Sequence, residues 1–350
     1  MASRPRSCRG SWRRSNRRTN ERITGDLPMT RQALVGDIGG TNARFALVTP
    51  GEFAPQEVMT LPCADYPGMV EAVRDYLSRV GLVGDEAPRE ACLAFACPIG
   101  DDRVTMTNNH WSFSRREAQA VLGFERLKVI NDFTAQALGV PHLQPDELVE
   151  VQPGRPREHA ACLVIGPGTG LGVAGIFPGR RAWVPLPSEG GHVTFAPTDE
   201  REQNLLRHFR HRYGRVSVER ILCGQGLLDL YLAHCSLKGA NPTCQTPAEV
   251  TTAAAGGDAI ARDTLLRFLK ILGDVCGDAT LTMGARGGVY LCGGILPRLL
   301  DWLPQSRFCE AFAAKGRMSG YTRSIPVRVV TAPWPGLLGA AEALRNEEVE

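Results

Sequence analysis

The sequence predicts an α/β protein of two lobes, each built round a glycine-rich β-hairpin. Three observations carry that expectation. Residues 34–48, LVGDIGGTNARFALV, set Asp37, Gly39, Gly40, Thr41 and Asn42 in a turn between two apolar strands. A similar unit recurs at 162–177, CLVIGPGTGLGVAGIF. Around these hairpins the runs follow the order strand-strand-strand-helix-strand-helix, roughly twice, the interleaving of layered α/β folds.

The elements follow in order. After the hairpin at 33–49 a third strand is expected near 57–61. Residues 68–80 carry Met69, Val70, Val73, Leu77 and Val80 at helical spacing. ACLAFA (91–96) reads as a buried strand closed by Pro98, 104–107 as a short strand, and 114–122 as a helix. Another short strand at 127–130 leads into Asn131-Asp132 and a helix at 133–139. Asp or Asn at a helix start is an ordinary N-cap preference, so position alone makes neither residue catalytic. Proline, glycine and charge increase over 141–159, the expected boundary between a first lobe (31–142) and a second (143–332). The second hairpin leads to 183–186, the loop PSEGGH and a strand at 192–195. Helices are expected at 201–212, 217–236 and 248–284, the last broken at glycine. Residues 289–292 form a strand ending in Gly293-Gly294, a helix begins near Pro297, and 327–330 is a late strand. The small and apolar residues of PGLLGAAEALR (335–345) suit a closely packed helix that returns, with 333–350, to the first lobe.

At 350 residues, 43% hydrophobic and 22% charged, the composition is that of an ordinary globular protein with a sizeable core. No run of eighteen apolar residues is present, which argues against a membrane span. The net charge of +3 misleads. Residues 1–31 hold nine arginines against Glu21 and Asp26, a net +7, so the rest of the chain carries about −4. Nucleic-acid binding by that mildly acidic body is not indicated. The basic head (1–30) has too few aliphatic residues to pack and is expected to be disordered. An upstream start codon, with Met29 opening the protein proper, is the expected explanation, ahead of a basic tail or a targeting peptide. The eleven cysteines are scattered, with no Cys-x-x-Cys or other zinc spacing. Cys92, Cys97, Cys162 and Cys292 fall in apolar runs, the pattern of reduced core thiols in a cytoplasmic protein.

Glycine allows backbone N–H groups to approach an anion closely and permits positive φ. The first turn, with Gly36 beside it, therefore reads as a phosphate cradle to which Thr41 and Asn42 add donors. Asp37 would repel phosphate unless a cation lay between them, which implies Mg²⁺ held through water. The second turn, with Gly168, Thr169 and Gly170, lacks an acid and suits phosphate contact without metal. Gly170-Leu-Gly172-Val-Ala-Gly175 matches a dinucleotide fingerprint, but a strand follows where that site needs a helix. No lysine follows a glycine anywhere in the chain, which excludes a P-loop. Three polar clusters remain: Asn108-Asn109 before Trp111, Asn131-Asp132, and Glu189-Gly-Gly-His192 with Glu219 farther on. A lone buried Asp or His is more often structural. Their position in loops beside the hairpins leaves both readings open.

In order, VGDIGGTNARFAL, TNNHW, INDFTAQALG, GPGTGLGVA, EGGH, VERILCG, LCGGI and PGLLGA resemble the motifs of bacterial glucokinases of the non-ROK type, over about residues 32–345. The resemblance implies the two-lobed actin-like ATPase (ribonuclease H-like) fold and ATP-dependent phosphorylation of glucose at its 6-hydroxyl, feeding glycolysis. It implies Asp132 as catalytic base and Asn131, Glu189, His192 and Glu219 as glucose ligands, with Asn108 a further sugar contact. The hairpins resemble the family's two phosphate motifs, Gly293-Gly294 its adenosine motif, and a homodimer is implied. Ser188 stands where glycine is common. Because Asp132 opens a helix, its carboxylate is expected to be charged at neutral pH. The rival readings are a kinase for another hexose, a non-catalytic sugar sensor, and an actin-like ATPase with a protein partner.

Overall fold

The computed structural model describes residues 31–349; the head at 1–30, with the expectations placed on it, lies outside them. The first sheet begins with β1 (Ala33–Ile38), β2 (Asn42–Val48) and β3 (Gln56–Pro62). Helix α1 (Met69–Arg79) leads to β4 (Glu90–Phe95), and a small ribbon of β5 (Arg103–Thr105) and β6 (Ser112–Ser114) follows. Helix α2 (Arg115–Leu122), β7 (Arg126–Asn131) and α3 (Asp132–Gly139) complete this part. The second sheet takes β8 (Leu148–Gln152), β9 (Cys162–Pro167), β10 (Leu171–Pro178) and β11 (Trp183–Ser188). Helices α4 (Glu200–Tyr213), α5 (Gly224–Lys238), α6 (Pro247–Ala255) and α7 (Ala259–Met283) precede β12 (Gly288–Leu291). The chain ends through α8 (Phe308–Ala313), α9 (Ser319–Arg323), β13 (Val327–Val330) and α10 (Pro335–Arg345).

The two sheets repeat one topology. The first runs β3-β2-β1-β4-β7 and the second β11-β10-β9-β12-β13, with β8 added at its edge. In each, three antiparallel strands are followed by two parallel ones. The sheets are covered on both faces, which is why their inner strands read as continuous apolar runs rather than alternating ones. On one face of the first sheet Leu34, Ile38 and Phe45 meet Met69, Val73 and Tyr76 of α1. On the other, Val35, Ala46 and Cys92 meet Leu337, Ala340 and Leu344 of α10. In the second sheet Leu163 and Ile165 pack on Phe268 and Leu272 of α7, whereas Val164, Ala174 and Ile176 pack on Phe133 and Ala137 of α3.

Helices α3 and α10 thus form a shared layer between the sheets. Ala135 and Leu138 of α3 join the core of the first sheet, and Phe133, Ala137 and Val140 that of the second. The two helices approach so closely that a Cβ at Gly339 would lie 1.6 Å from the Ala135 carbonyl oxygen, and one at Gly139 would lie 2.3 Å from that of Pro335.

Several expectations need correction. The stretch 141–159 is not merely a connection: it contains β8, an edge strand paired antiparallel with β13. Residues 192–195 form no strand, because the only pairing there is a bridge between Thr194 and Ser217. The helix expected at 217–236 starts at Gly224, capped by the Cys223 thiol, after a separate 3-10 turn at Val218–Arg220. Ser114 is the N-cap of α2 rather than its first residue, and the segment at Pro297 is a 3-10 turn, Leu296–Trp302.

Adding one methyl group at either face of α3 tests this layer. At Gly172 a Cβ would fall 1.9 Å from the Phe133 ring. Gly172→Ala and Gly339→Ala should each lower unfolding stability by about 1–3 kcal/mol or more in urea titrations. Gly320→Ala, whose Cβ would meet nothing within 4 Å, should stay within about 0.5 kcal/mol of the parent or gain slightly. Equal effects at all three sites would contradict the wedge.

Candidate active site

The N-terminus of α3 is the point where the two hairpins converge. Strand β7 runs parallel beside β4, which runs parallel beside β1, so all three end at the same edge of the sheet. Asn131 closes β7 and caps α3: its Oδ1 accepts the backbone N–H groups of Phe133 (2.9 Å) and Thr134 (3.2 Å). Its Nδ2 donates to the Cys97 carbonyl at 3.2 Å, which fixes the side chain from both ends. Asp132 follows, half-buried, with its Oδ1 accepting the Phe133 N–H at 2.9 Å. The next side chain, Phe133, lies against Gly172 of the second hairpin.

Asp37 faces the same place from β1. A Cβ at Gly336, in the first turn of α10, would sit 3.0 Å from the Asp37 carboxyl carbon. Hairpin register sets Arg44 opposite Asp37, with the guanidinium 3.6 Å from the carboxylate. Burial raises the Asp37 carboxyl above its ordinary range, and Arg44 only partly offsets this. Asp132 is pushed up to about 7, first by burial, then by the negative charge of Asp37, with a smaller contribution from Glu189. The expected charged state at neutral pH is therefore not obtained in full. A helix N-terminus favours a carboxylate by roughly 0.3–1 kcal/mol, less than one pKa unit. Burial beside two other acids outweighs it.

The first turn is closed by Gly39 N–H donating to the Asn42 carbonyl at 2.9 Å, and Thr41 stands exposed at the tip. Neither Gly39 nor Gly40 adopts positive φ, and it is at Gly40 that close contact calls for glycine. A Cβ at Gly40 would lie 2.8 Å from that of Asn108. Asn108 itself is exposed; the neighbouring Asn109 makes the tie, donating from Nδ2 to the Gly39 carbonyl at 3.3 Å. Gly36 does not line the turn. Its missing side chain would strike Leu93 and Phe45 in the core, so its role is packing.

In the second turn Gly168 N–H donates to the Gly170 carbonyl at 2.8 Å and Thr169 is exposed, matching Thr41 in the first. Gly168 and Gly294 face open space, whereas Gly293 adopts φ +87° and packs on the Pro167 carbonyl. Glu219 binds the hairpin directly: its Oε2 accepts the Leu171 N–H at 2.9 Å. Its Oε1 lies 3.8 Å from His192 Nε2, and Glu189 Oε2 lies 3.9 Å from the same nitrogen. Ser188 is an anchor for this loop, its hydroxyl donating to the Val173 carbonyl at 2.8 Å and accepting the Gly190 N–H. Carboxylates, an imidazole and amides thus line one mouth between two glycine turns, a set suited to hydroxyl recognition next to phosphate.

Asp132 gives a pH test. Its proton is held more tightly in the fold than in the unfolded chain. The stability this gives is present below the unfolded value, 3.8, and is lost as pH rises through about 7. Asp132→Asn should match the parent near pH 4 and be more stable at pH 8 by roughly 1 kcal/mol or more. A parent that stays the more stable at pH 8 would contradict the raised value.

A family model described as Glucokinase matches residues 34–347. The glucokinase of Chromohalobacter salexigens is 66% identical over 321 residues, covering 92% of this chain and 100% of that one. Among solved structures, a glucokinase from an Antarctic psychrotroph aligns with a TM-score of 0.81 at 38% identity, covering 91% of this chain and 99% of its own. The glucokinase of Balamuthia mandrillaris, solved in complex with glucose, aligns at 0.74 and 21% identity over 90% and 94%, a likeness of fold. The duplicated sheets are those of the two-lobed actin-like ATPase fold. The chain belongs to the glucokinase family, as an enzyme of its bacterial, non-ROK branch.

Proposed function

We propose that the enzyme transfers the γ-phosphoryl group of ATP to the 6-hydroxyl of glucose, with Asp132 as general base, and that the product feeds glycolysis. The observation that carries this is a carboxyl group poised at about 7 between two glycine turns and the Glu189–His192–Glu219 cluster. A base whose pKa lies near working pH combines a usable ionised fraction with proton affinity. The bond from O6 to phosphorus forms as the bond to the ADP oxygen breaks, and the 6-hydroxyl proton passes to the Asp132 carboxylate. With a loose transition state, aiming that hydroxyl matters more than early proton removal.

The remaining groups bind and orient. Glu189 and Glu219 are acceptors for sugar hydroxyls, and His192 between them either donates or accepts. Asn131 has its oxygen occupied by the helix cap, so its sugar contact runs through the amide hydrogen left free by Cys97. Asn108 stands exposed at the same mouth. The turns at Gly39–Asn42 and Gly168–Gly170 receive the ATP phosphates, with Gly293 and Gly294 near the adenosine. Asp37 fits magnesium held through water. Asp132 feels the negative charge of Asp37 and of Glu189, and Arg44 is the counter-charge beside Asp37, an excess of negative charge that a divalent cation would offset. Magnesium is commonly bound by one or two carboxylates together with substrate phosphates and water, which a single carboxylate such as Asp37 can serve. Bound there, it would supply charge stabilisation on the phosphates. In this reading the lobes 31–142, joined by 333–350, and 143–332 close over glucose and exclude water, which would otherwise hydrolyse ATP. Homodimerisation and a cytoplasmic setting belong to the same reading. The ten described cysteines are all unpaired, and nine are buried, which fits a reducing compartment.

Asp132→Ala should keep glucose binding by calorimetry and lose roughly 10²–10⁴-fold in kcat. Near-normal turnover would remove Asp132 from the role of base. A panel of hexoses in a coupled ADP assay separates glucose from its rivals: faster turnover of fructose or mannose would move the substrate assignment. X-ray scattering should report a smaller radius of gyration with glucose, and identical profiles would count against closure.

A further inference from the structure

A cleft of about 520 Å³ is lined by none of the residues placed in the candidate active site. Three stretches of chain line it: Phe53 and Pro55 between β2 and β3, Pro141 and Glu147 between α3 and β8, and Pro333 and Trp334 between β13 and α10. The second and third stretches are the two crossovers by which the chain leaves the first sheet for the second and returns. The volume falls within the range of small-molecule sites, and apolar rings with a few polar groups are their usual lining.

One wall is already braced. The Phe53 ring stacks on His142 with centroids 3.7 Å apart and lies under the Arg345 guanidinium at 3.9 Å. Buried Glu342 accepts from His142 Nε2 at 3.0 Å and from Arg345 Nη2 at 3.1 Å. Burial works against its ionisation, yet these bonds hold it below the usual carboxylate range. His142, which lines the cleft, and Arg345, which lies over Phe53 outside the lining, are therefore both committed to Glu342. Glu147 contributes a carboxylate to the lining, held by the Gln144 N–H at 2.8 Å. The lining also presents Trp334, with 37% of its surface exposed. Such a lining disfavours anions, so this is not a second place for ATP or a sugar phosphate. It favours a flat ring that packs on Trp334 and the prolines, against the edge of Phe53, and donates one N–H to Glu147.

We propose that this cleft binds a flat, uncharged heteroaromatic molecule with an N–H donor, and that its occupancy is coupled to glucose binding through the two crossovers. The coupling rests on the closure reading above; the binding does not. A ligand touching both crossovers meets different contacts as the sheets turn relative to one another, and only such a difference shifts an equilibrium. Linkage then requires glucose to change the ligand's affinity by the same factor as the ligand changes that of glucose.

Indole is the probe and indole-3-acetate its anionic counterpart, both measured on the full chain by saturation-transfer NMR and titration. Indole should bind about fivefold or more tightly than indole-3-acetate, and Glu147→Gln should narrow that gap. Ala54→Trp, at an exposed position on the rim, should fill the cleft and abolish the indole signal. Glucose should change the indole affinity by about fivefold or more. Equal binding of the two probes, or indole binding that survives Ala54→Trp, overturns the site. Identical indole affinity with and without glucose overturns the coupling. Lack of glucose phosphorylation with indole binding intact would instead overturn the proposed function.

Discussion

The eight residues of α3 have almost no room. On one side Phe133 presses on the hairpin of the second sheet, where only glycine at position 172 admits its ring. On the other, the α3 backbone touches α10 at Gly139 and Gly339. The same helix contributes side chains to the cores of both sheets. Its N-terminus is fixed by Asn131, which holds two helix N–H groups and the Cys97 carbonyl at once. Asp132 is therefore held by everything that holds the two sheets together. A shift of α3 along its axis would move the carboxyl group, the second glycine turn and the α10 contact with Asp37 in one step.

That placement has an electrostatic cost. Asp132 lies within the influence of two acids from other segments, Asp37 and Glu189, and Arg44 is the guanidinium beside Asp37. Unfolded, each would be ionised well below pH 7. Folded, Asp132 keeps its proton up to about 7. The fold is less stable at neutral pH than a neutral side chain there would make it, a common trade where stability and chemistry share a residue. In the proposed mechanism the same imbalance favours a bound cation and suits Asp132 to the role of base.

Much of this was legible in the sequence because it is local. Glycine turns between apolar runs revealed both hairpins, Asn131-Asp132 marked the start of α3, and the small residues of 335–345 foretold a close helix packing. Arg44 was equally accessible: in a hairpin turning at 39–42, residue 44 must oppose residue 37. The misses have non-local causes. Strand β8 is short, only partly buried and bracketed by prolines, and its partner β13 lies far along the chain, so no local signal distinguishes it from a linker. HVTF at 192–195 alternates like a strand but finds no partner beyond one bridge. Gly36 sits in the same motif as the first glycine turn, yet strand alternation turns it into the core. The charge state of Asp132 depends on burial and on Asp37 and Glu189, which no reading of the helix start contains.

The central claim is that the fold positions Asp132 as a base with its ionisation near neutrality. The most direct measurement is kcat/KM for glucose against pH, by coupled detection of glucose 6-phosphate at saturating ATP and magnesium. The account predicts an acidic limb in which activity falls about tenfold per pH unit below about 7, absent from the residual activity of Asp132→Asn. A flat profile from pH 5.5 to 8.5, or the same limb in both proteins, would contradict it.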